Sequence, residues 1–422
     1  MTRLDDLAAR FGTPVYVYDL DEVAAAARDL LGALPAETEL FYALKANPHP
    51  DVVAALRAVP GGRCRAEISS TGELDAALAG GFAGADCLYT GPGKTPGELR
   101  AAVGRGVRLF STDSLTDVEH VGAAAREHGT TADVLLRVNS ASGSATTSIR
   151  MTGTPSQFGF DAEALPAVLP ALRRVGGVRL AGMHFFPLSN AHDEASLMAE
   201  FEQTIDGAAR LARELDLPLR FLDIGGGFAA PYAAPGERPV YPRLRDALAT
   251  ALDASLPGWR RGDPRIAFES GRHLVGTAGT LVAGVTNVKV SRGRTFVILD
   301  AGINVLGGMS GLGRLLPVSV RTDVEPTEHA SLVGPLCTPG DVLGREIPLP
   351  ALGPGDLVTI PNTGAYGVTA SLLMFLGRPA PAEVAVRGGE IVSVSRLEHH
   401  RSHMPVTGPA PARPAVLAGG HP

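Results

Sequence analysis

What most restricts this chain is a sustained alternation. After an opening run, TPVYVYDL, short segments rich in β-branched and aromatic residues alternate with Ala/Leu-rich stretches of helical spacing. That is the pattern of parallel βα units. The strand-like runs are LFYALKA ending near Ala46, RCRAEIS near Ser69, DCLYTGP near Pro92, VRLFSTD at Asp113, DVLLRVN at Asn139, VRLAGMHFF at Phe186, RFLDIGGG at Gly227 and RIAFESGR at Arg272. About eight units within roughly 240 residues predict an α/β fold, a closed (β/α)8 TIM-type barrel with its reactive groups at the C-terminal strand ends. The intervening stretches, TGELDAALAG and EASLMAEFEQTIDGAARLARELD among them, are amphipathic and would sheath the barrel.

Past residue 277 the texture changes. AGTLVAGVTNVKV, TFVILDAG and EIVSVSRLE alternate apolar and polar residues between Gly/Pro turns, which predicts an antiparallel β-barrel or sandwich domain. The expected organisation is an N-terminal segment, 1–34, joining the β domain, a barrel over 35–277, the β domain over 278–405, and a flexible Pro/Gly/Ala-rich tail over 406–422. The 422 residues are 45% hydrophobic, enough for two cores. A net charge of -6, with no basic block, argues against nucleic acid as a partner. Cys64, Cys87 and Cys337 form neither a closed disulfide set nor a zinc spacing. The acidic N-terminus lacks an apolar signal core and no apolar run is long enough for a bilayer, so a soluble cytoplasmic protein without membrane attachment is expected.

Polar residues fall where barrel chemistry needs them. Lys45 ends the first strand in FYALKAN, in apolar company expected to disfavour its charge and free a nucleophilic amine; taken alone, it reads first as a lysine snorkelling from a strand end. LDIGGGF, residues 222–228, brings three glycines whose backbone N–H groups can approach a phosphate, although a tight turn needs glycine too. Glu269-Ser270-Gly271-Arg272 then offers an anion, a further glycine and a guanidinium. A lysine for an aldehyde, glycines and arginine for a phosphate, and a carboxylate for a ring nitrogen together suit pyridoxal 5'-phosphate.

The ordered set YALKAN, LLRVN, LDIGGGF, the run from Glu269 to Val275, VILDAG, GPLC and GAYG resembles the fold-type III pyridoxal-phosphate-dependent decarboxylases, the diaminopimelate/ornithine decarboxylase family, up to about Glu398. The resemblance implies an alanine racemase-like barrel and a head-to-tail homodimer with shared active sites. Lys45 would bind the cofactor covalently and Glu269 would face its pyridine nitrogen. Gly225, Gly226, Gly227, Gly271, Arg272 and Ser189 would lie at the phosphate, with Tyr366 reaching it from the second subunit. Cys337 would cross the same interface as the acid that protonates Cα after CO2 leaves. Glu67 stands where the family commonly has aspartate; Arg137 and Asn139 would orient the lysine side; Ser69 and His184 would line the site; and Thr338 and Asp341 would meet the substrate.

Three departures bear on the substrate. Relatives usually write H-F-H-x-G-S after the sixth strand, whereas this chain reads His184-Phe185-Phe186-Pro187-Leu188-Ser189. Phe186 can stack on the cofactor but cannot titrate, and Leu188 narrows the turn. After the cysteine, Thr338 replaces the glutamate that grips a distal ammonium in diaminopimelate decarboxylases. In residues 303–317, where those relatives carry an arginine and a tyrosine for the distal carboxylate, Arg314 is the only cation. The resemblance thus points to a subgroup acting on siderophore intermediates or carrier-protein-tethered amino acids. Diaminopimelate or basic amino-acid decarboxylation, racemisation, and cofactor binding without turnover are the alternatives.

Overall fold

The structure is a computed structural model and describes residues 3–139, 155–191, 193–307 and 325–403. The chain opens with α1 (Leu4–Phe11), β1 (Val15–Asp19) and α2 (Leu20–Ala33). Strands and helices then alternate through β2 (Glu39–Ala43), α3 (Pro50–Arg57), β3 (Cys64–Ile68), α4 (Thr71–Ala79), β4 (Cys87–Tyr89), α5 (Pro96–Gly104), β5 (Leu109–Thr112), α6 (Leu115–Glu127) and β6 (Ala132–Asn139). A short β7 (Phe160–Asp161) precedes α7 (Leu165–Leu172), β8 (Val178–His184), α8 (Glu194–Glu214), β9 (Phe221–Asp223), α9 (Leu244–Ser255), β10 (Arg265–Ser270) and the single turn α10 (Arg272–Val275). The second region holds β11 (Gly279–Ser291), β12 (Arg294–Leu299), β13 (Glu328–Val333), β14 (Val342–Leu349), β15 (Leu357–Ile360), β16 (Ala382–Arg387) and β17 (Glu390–Ser395).

The barrel strands run in the order β5-β4-β3-β2-β10-β9-β8-β6, and β5 pairs with β6 to close the ring. Every neighbouring pair is parallel. All eight strand runs anticipated from sequence are therefore barrel strands. They are buried on both faces, as helix-covered parallel strands must be. Inward-facing Phe41, Leu88, Leu135, Ala181, Phe221 and Ala267 fill the interior beneath the strand ends, each large side chain contributing about 1.5–3 kcal/mol by burial. Local chemistry starts the helices: the Ser70 hydroxyl accepts from Glu73 N, and Thr95-Pro96-Glu98 forms a capping box with proline in the first turn.

The second sheet runs β14-β13-β12-β11-β1-β16-β17, with β15 also on β11. The expected antiparallel sheet is thus mixed in two places. β12 and β13 pair in parallel. β1 pairs antiparallel with β11 and parallel with β16. The first 34 residues divide: β1 enters this sheet as expected, whereas α2 packs on α3 and α10 of the barrel. The tail expected over 406–422 lies outside the described residues. Among the described residues no helix is long and apolar enough to cross a membrane.

Candidate active site

The site collects at the C-terminal strand ends. Lys45 follows β2 and projects into a cavity of about 860 Å3 also lined by Glu67, Ser69, Thr90, Arg137, Phe186 and Glu269. Its Nζ lies 3.2 Å from Glu67 Oε2. The Glu67 carboxylate is itself buried and accepts from the Thr90 and Ser69 hydroxyls. Burial alone would lower the Lys45 ammonium, but Glu67 foremost, then Glu269 and Tyr366, outweigh it and hold it well above the usual lysine range. The expected neutral amine is thereby corrected: its neighbours are acidic as well as apolar, and opposite charge at hydrogen-bond distance outweighs desolvation.

A second group lies on the strands that follow β2 around the ring, β10 and β8. His184 at the end of β8 and Glu269 in β10 are 1% and 2% exposed. His184 Nε2 is 3.1 Å from Glu269 Oε1, off the line of a hydrogen bond, and its Nδ1 is 2.6 Å from Ser111 Oγ. Burial works against the Glu269 charge, yet His184, Lys45 and Arg137 together hold its carboxyl below the usual carboxylate range. Arg137 projects from β6 between two rings, 4.5 Å from that of Phe158 and 6.0 Å from that of Phe186. Asn139 turns away and donates to Asp161 Oδ1 at 2.9 Å. Phe186 lies on the cavity wall, with Lys45 Nζ 5.6 Å from its ring centre.

The glycine turn answers both readings of its sequence. Gly225 and Gly227 have φ of 82° and 123°, backbone that side chains rarely adopt. A Cβ would also lie 2.3 Å from Phe185 O at the first position and 2.3 Å from Leu188 Cδ1 at the second. Leu188 is buried against that turn, the narrowing anticipated from sequence. Gly226, Gly227, Gly271, Arg272, Ser189 and Tyr366 line one small pocket beside Lys45 and Glu269. Arg272 forms no ion pair among the described residues and stacks on Tyr366 at 5.2 Å, while the buried Ser270 Oγ is without a hydrogen-bond partner. A spare guanidinium, glycine backbone at the pocket wall and the unpartnered Ser270 hydroxyl suit a phosphate; Lys45 suits an aldehyde and Glu269 a ring nitrogen, so the residues present fit pyridoxal phosphate.

Two expectations are corrected. Tyr366 lines its own chain's pocket rather than that of a second subunit: its N–H donates to Ala46 O at 2.7 Å, in a turn where Gly364 packs on Val275 and Gly279. Asp341, expected at the substrate, is 3% exposed, and its carboxylate accepts from Ile303 N and Leu336 N, each at 2.7 Å. It clasps the GPLC turn instead. Cys337 is exposed at the tip of that turn, beside half-buried Thr338, and neither lines the Lys45 cavity. Arg314 lies outside the described residues. Sequence reasoning passed over Asp223, which is fully buried beside His184 and Glu269; its one signal was an acidic residue ending a strand ahead of three glycines.

A sequence model described as "Pyridoxal-dependent decarboxylase, pyridoxal binding domain" matches residues 20–276, more than half of the chain. L-glutamyl-[BtrI acyl-carrier protein] decarboxylase of Niallia circulans is 31% identical over 403 residues, covering 92% of each protein. Diaminopimelate decarboxylase of Archaeoglobus fulgidus is 32% identical over 394 residues, 92% of this chain and 90% of the relative. The crystal structure of diaminopimelate decarboxylase from Helicobacter pylori, complexed with L-lysine, superimposes with a TM-score of 0.80 at 25% identity over 93% of this chain and 95% of that one. Extended agreement across both sheets, joined to a strand-end pocket that suits the cofactor's three functional groups, places this chain in the family of pyridoxal-phosphate-dependent amino-acid decarboxylases.

Proposed function

We propose that this enzyme decarboxylates an α-amino acid whose far end is conjugated, amidated or tethered to a carrier protein, using active sites shared within a homodimer in the cytoplasm. The observation that carries the substrate reading is the charge of the cavity wall. Its described carboxylates are Glu67, engaged with Lys45, and Glu269, engaged with His184. Lys94 at the rim is buried against Asp117. Arg137 and Arg272 are its cations without an ion pair among the described residues; with Arg272 at the small glycine-lined pocket, Arg137 is left facing the space, so a second free ammonium on the substrate would meet repulsion rather than a partner. The Niallia circulans relative is named for an amino acid carried on a protein, and 860 Å3 is ample for a conjugated side chain.

In this reading Lys45 anchors the cofactor, and Glu67 takes up the charge of the lysine whenever it is free. Arg272, Ser189, Tyr366 and the amides of Gly226 and Gly227 hold the phosphate; Phe186 packs on the ring face; Glu269 keeps the ring nitrogen protonated. Bound there, pyridoxal phosphate supplies the electron sink for the pair released when the bond from Cα to the carboxylate breaks. Cys337 of a second subunit gives the Sγ proton to Cα, and the amine product forms. The exposure of Cys337 outside its own cavity supports a shared site, as does the run of exposed Leu372, Met374, Phe375 and Leu376 next to Ala370 on the cavity wall.

The test is mass spectrometry of diaminopimelate, lysine, ornithine, arginine, glutamate and amidated or carrier-bound amino acids after incubation in D2O. Loss of CO2 with gain of one deuterium on a conjugated substrate alone is the expected result. Equal or better turnover of diaminopimelate would sink the substrate reading, and deuterium at Cα with the carboxylate retained would make the enzyme a racemase.

A further inference from the structure

We propose that His184, Asp223 and Glu269 form one buried proton-holding cluster in which the shared proton resides on Asp223 in preference to Glu269, leaving Glu269 as the anion that faces the cofactor ring. The geometry is a convergence of three neighbouring strands. β8, β9 and β10 lie side by side, with His184 in register with Asp223 and Asp223 in register with Ala267. The three side chains are 1%, 0% and 2% exposed. Each leaves one polar atom without a hydrogen-bond partner: His184 Nε2, Asp223 Oδ2 and Glu269 Oε1. One donor atom from each lies within 4.8 Å of the others. Their remaining contacts turn outward, His184 Nδ1 to Ser111 and Asp223 Oδ1 to Gly225 N at 2.9 Å.

Three buried polar side chains converging in a dry interior, with only the 3.1 Å approach of His184 Nε2 to Glu269 Oε1 between them, are costly unless a proton is shared among them. Two adjacent carboxylates cannot both stay ionised there without raising one of the pair. Surrounding charges decide which one. Lys45 and Arg137 act on Glu269 and favour its anion. Asp223 feels Glu269 and Glu67, both negative, and the help of His184 and Gly225 N does not offset its burial. Its carboxyl is pushed up, by burial first and by Glu269 second. Asp223 is thus a positioning residue: it keeps the charge on Glu269 without itself touching the cofactor.

That Glu269 faces the ring rests on the proposed function; where the proton sits does not, and the experiment separates the two. Infrared spectra of the cofactor-free protein in H2O and D2O read the carbonyl band of a buried carboxylic acid directly. Glu73 and Glu383 are also raised, to about 7, so the Glu73→Gln/Glu383→Gln double variant is the starting protein. A neutral-pH band should remain in it and vanish on adding Asp223→Asn, whose amide oxygen can still accept from Gly225. In the loaded enzyme the same change should move the pH midpoint of the visible cofactor band by about one pH unit. Absence of the band from the double variant overturns the proposal, as does a band that survives Asp223→Asn but is lost in Glu269→Gln. Stoichiometric metal in the purified protein would overturn it as well, because these donors would then be ligands. A normal infrared result with a pH midpoint unmoved by Glu269→Gln would instead count against Glu269 at the ring.

Discussion

The two halves of the site are built by opposite means. On the barrel side, Glu67, His184, Asp223 and Glu269 come from β3, β8, β9 and β10 and are buried, while Lys45, in the turn after β2, stays open to the cavity and pairs with Glu67. On the β-domain side, Cys337 rides an exposed turn whose order comes from behind, through the two bonds accepted by Asp341. Glycine at 302 and 334 is part of that clasp, since a Cβ at either would lie 2.2 or 2.3 Å from the Asp341 carboxylate. A barrel can complete a cofactor pocket from its own strand ends, because closure brings distant residues into one ring. A turn at the edge of a second domain offers only a presented side chain, and it needs an opposing surface to become part of a site.

The contrast can be broken at several points, beginning with the largest effect. Lys45→Ala should abolish both the visible cofactor absorbance and detectable turnover; a band that survives dialysis removes Lys45 as the anchor. Cys337→Ala should keep the absorbance and lower kcat by about 10²–10⁴-fold, the range for losing a general acid. Mixing the two variants should restore roughly a quarter of wild-type activity if the halves belong to different subunits, and no recovery after verified exchange counts against sharing. Glu67→Gln tests the barrel network more gently. Removing the largest influence that raises Lys45 should let the ammonium lose its proton at lower pH. Cofactor loading at neutral pH should then quicken, by about tenfold for every pH unit that the lysine titration moves down. Unchanged loading would show that Glu67 does not set the lysine charge.

The smallest catalytic effect is expected far from the cavity. Burial raises the Glu383 carboxyl to about 7 although Tyr18 donates to it at 2.9 Å. A carboxyl raised in the folded state holds more protons than the unfolded chain between its unfolded value and about 7, so it costs stability as pH rises through that window. Glu383→Gln keeps an acceptor for Tyr18 without the charge. It should raise stability by about 3 kcal/mol above neutrality, with the gain vanishing below the usual carboxylate range. Denaturant midpoints across pH check this, and a pH-independent difference would refute the buried-charge account.

Legibility followed the range of the signal. The barrel strands were readable because apolar runs and turn residues are local, and Lys45, the glycines, Glu269 and Arg272 because strand ends mark where chemistry sits. Tyr366 was assigned to the wrong subunit and Asp341 to the substrate. Their motifs lie close to the catalytic ones in sequence, but only folding shows which way each loop is turned. Asp223 went unnoticed because its meaning depends on two other strands.

By itself the sequence determined eight parallel strands, a β-rich second region containing β1, and the kinds of groups at the strand ends, since periodicity and glycine turns act within a few residues. Tertiary structure alone decided which groups meet. Glu67 holds Lys45 charged, Asp223 joins His184 and Glu269, and β1 pairs in parallel with β16 from the far end of the chain. Those pairings are set by barrel closure and by long-range register, which place residues hundreds of positions apart at contact distance and leave no local trace in the chain.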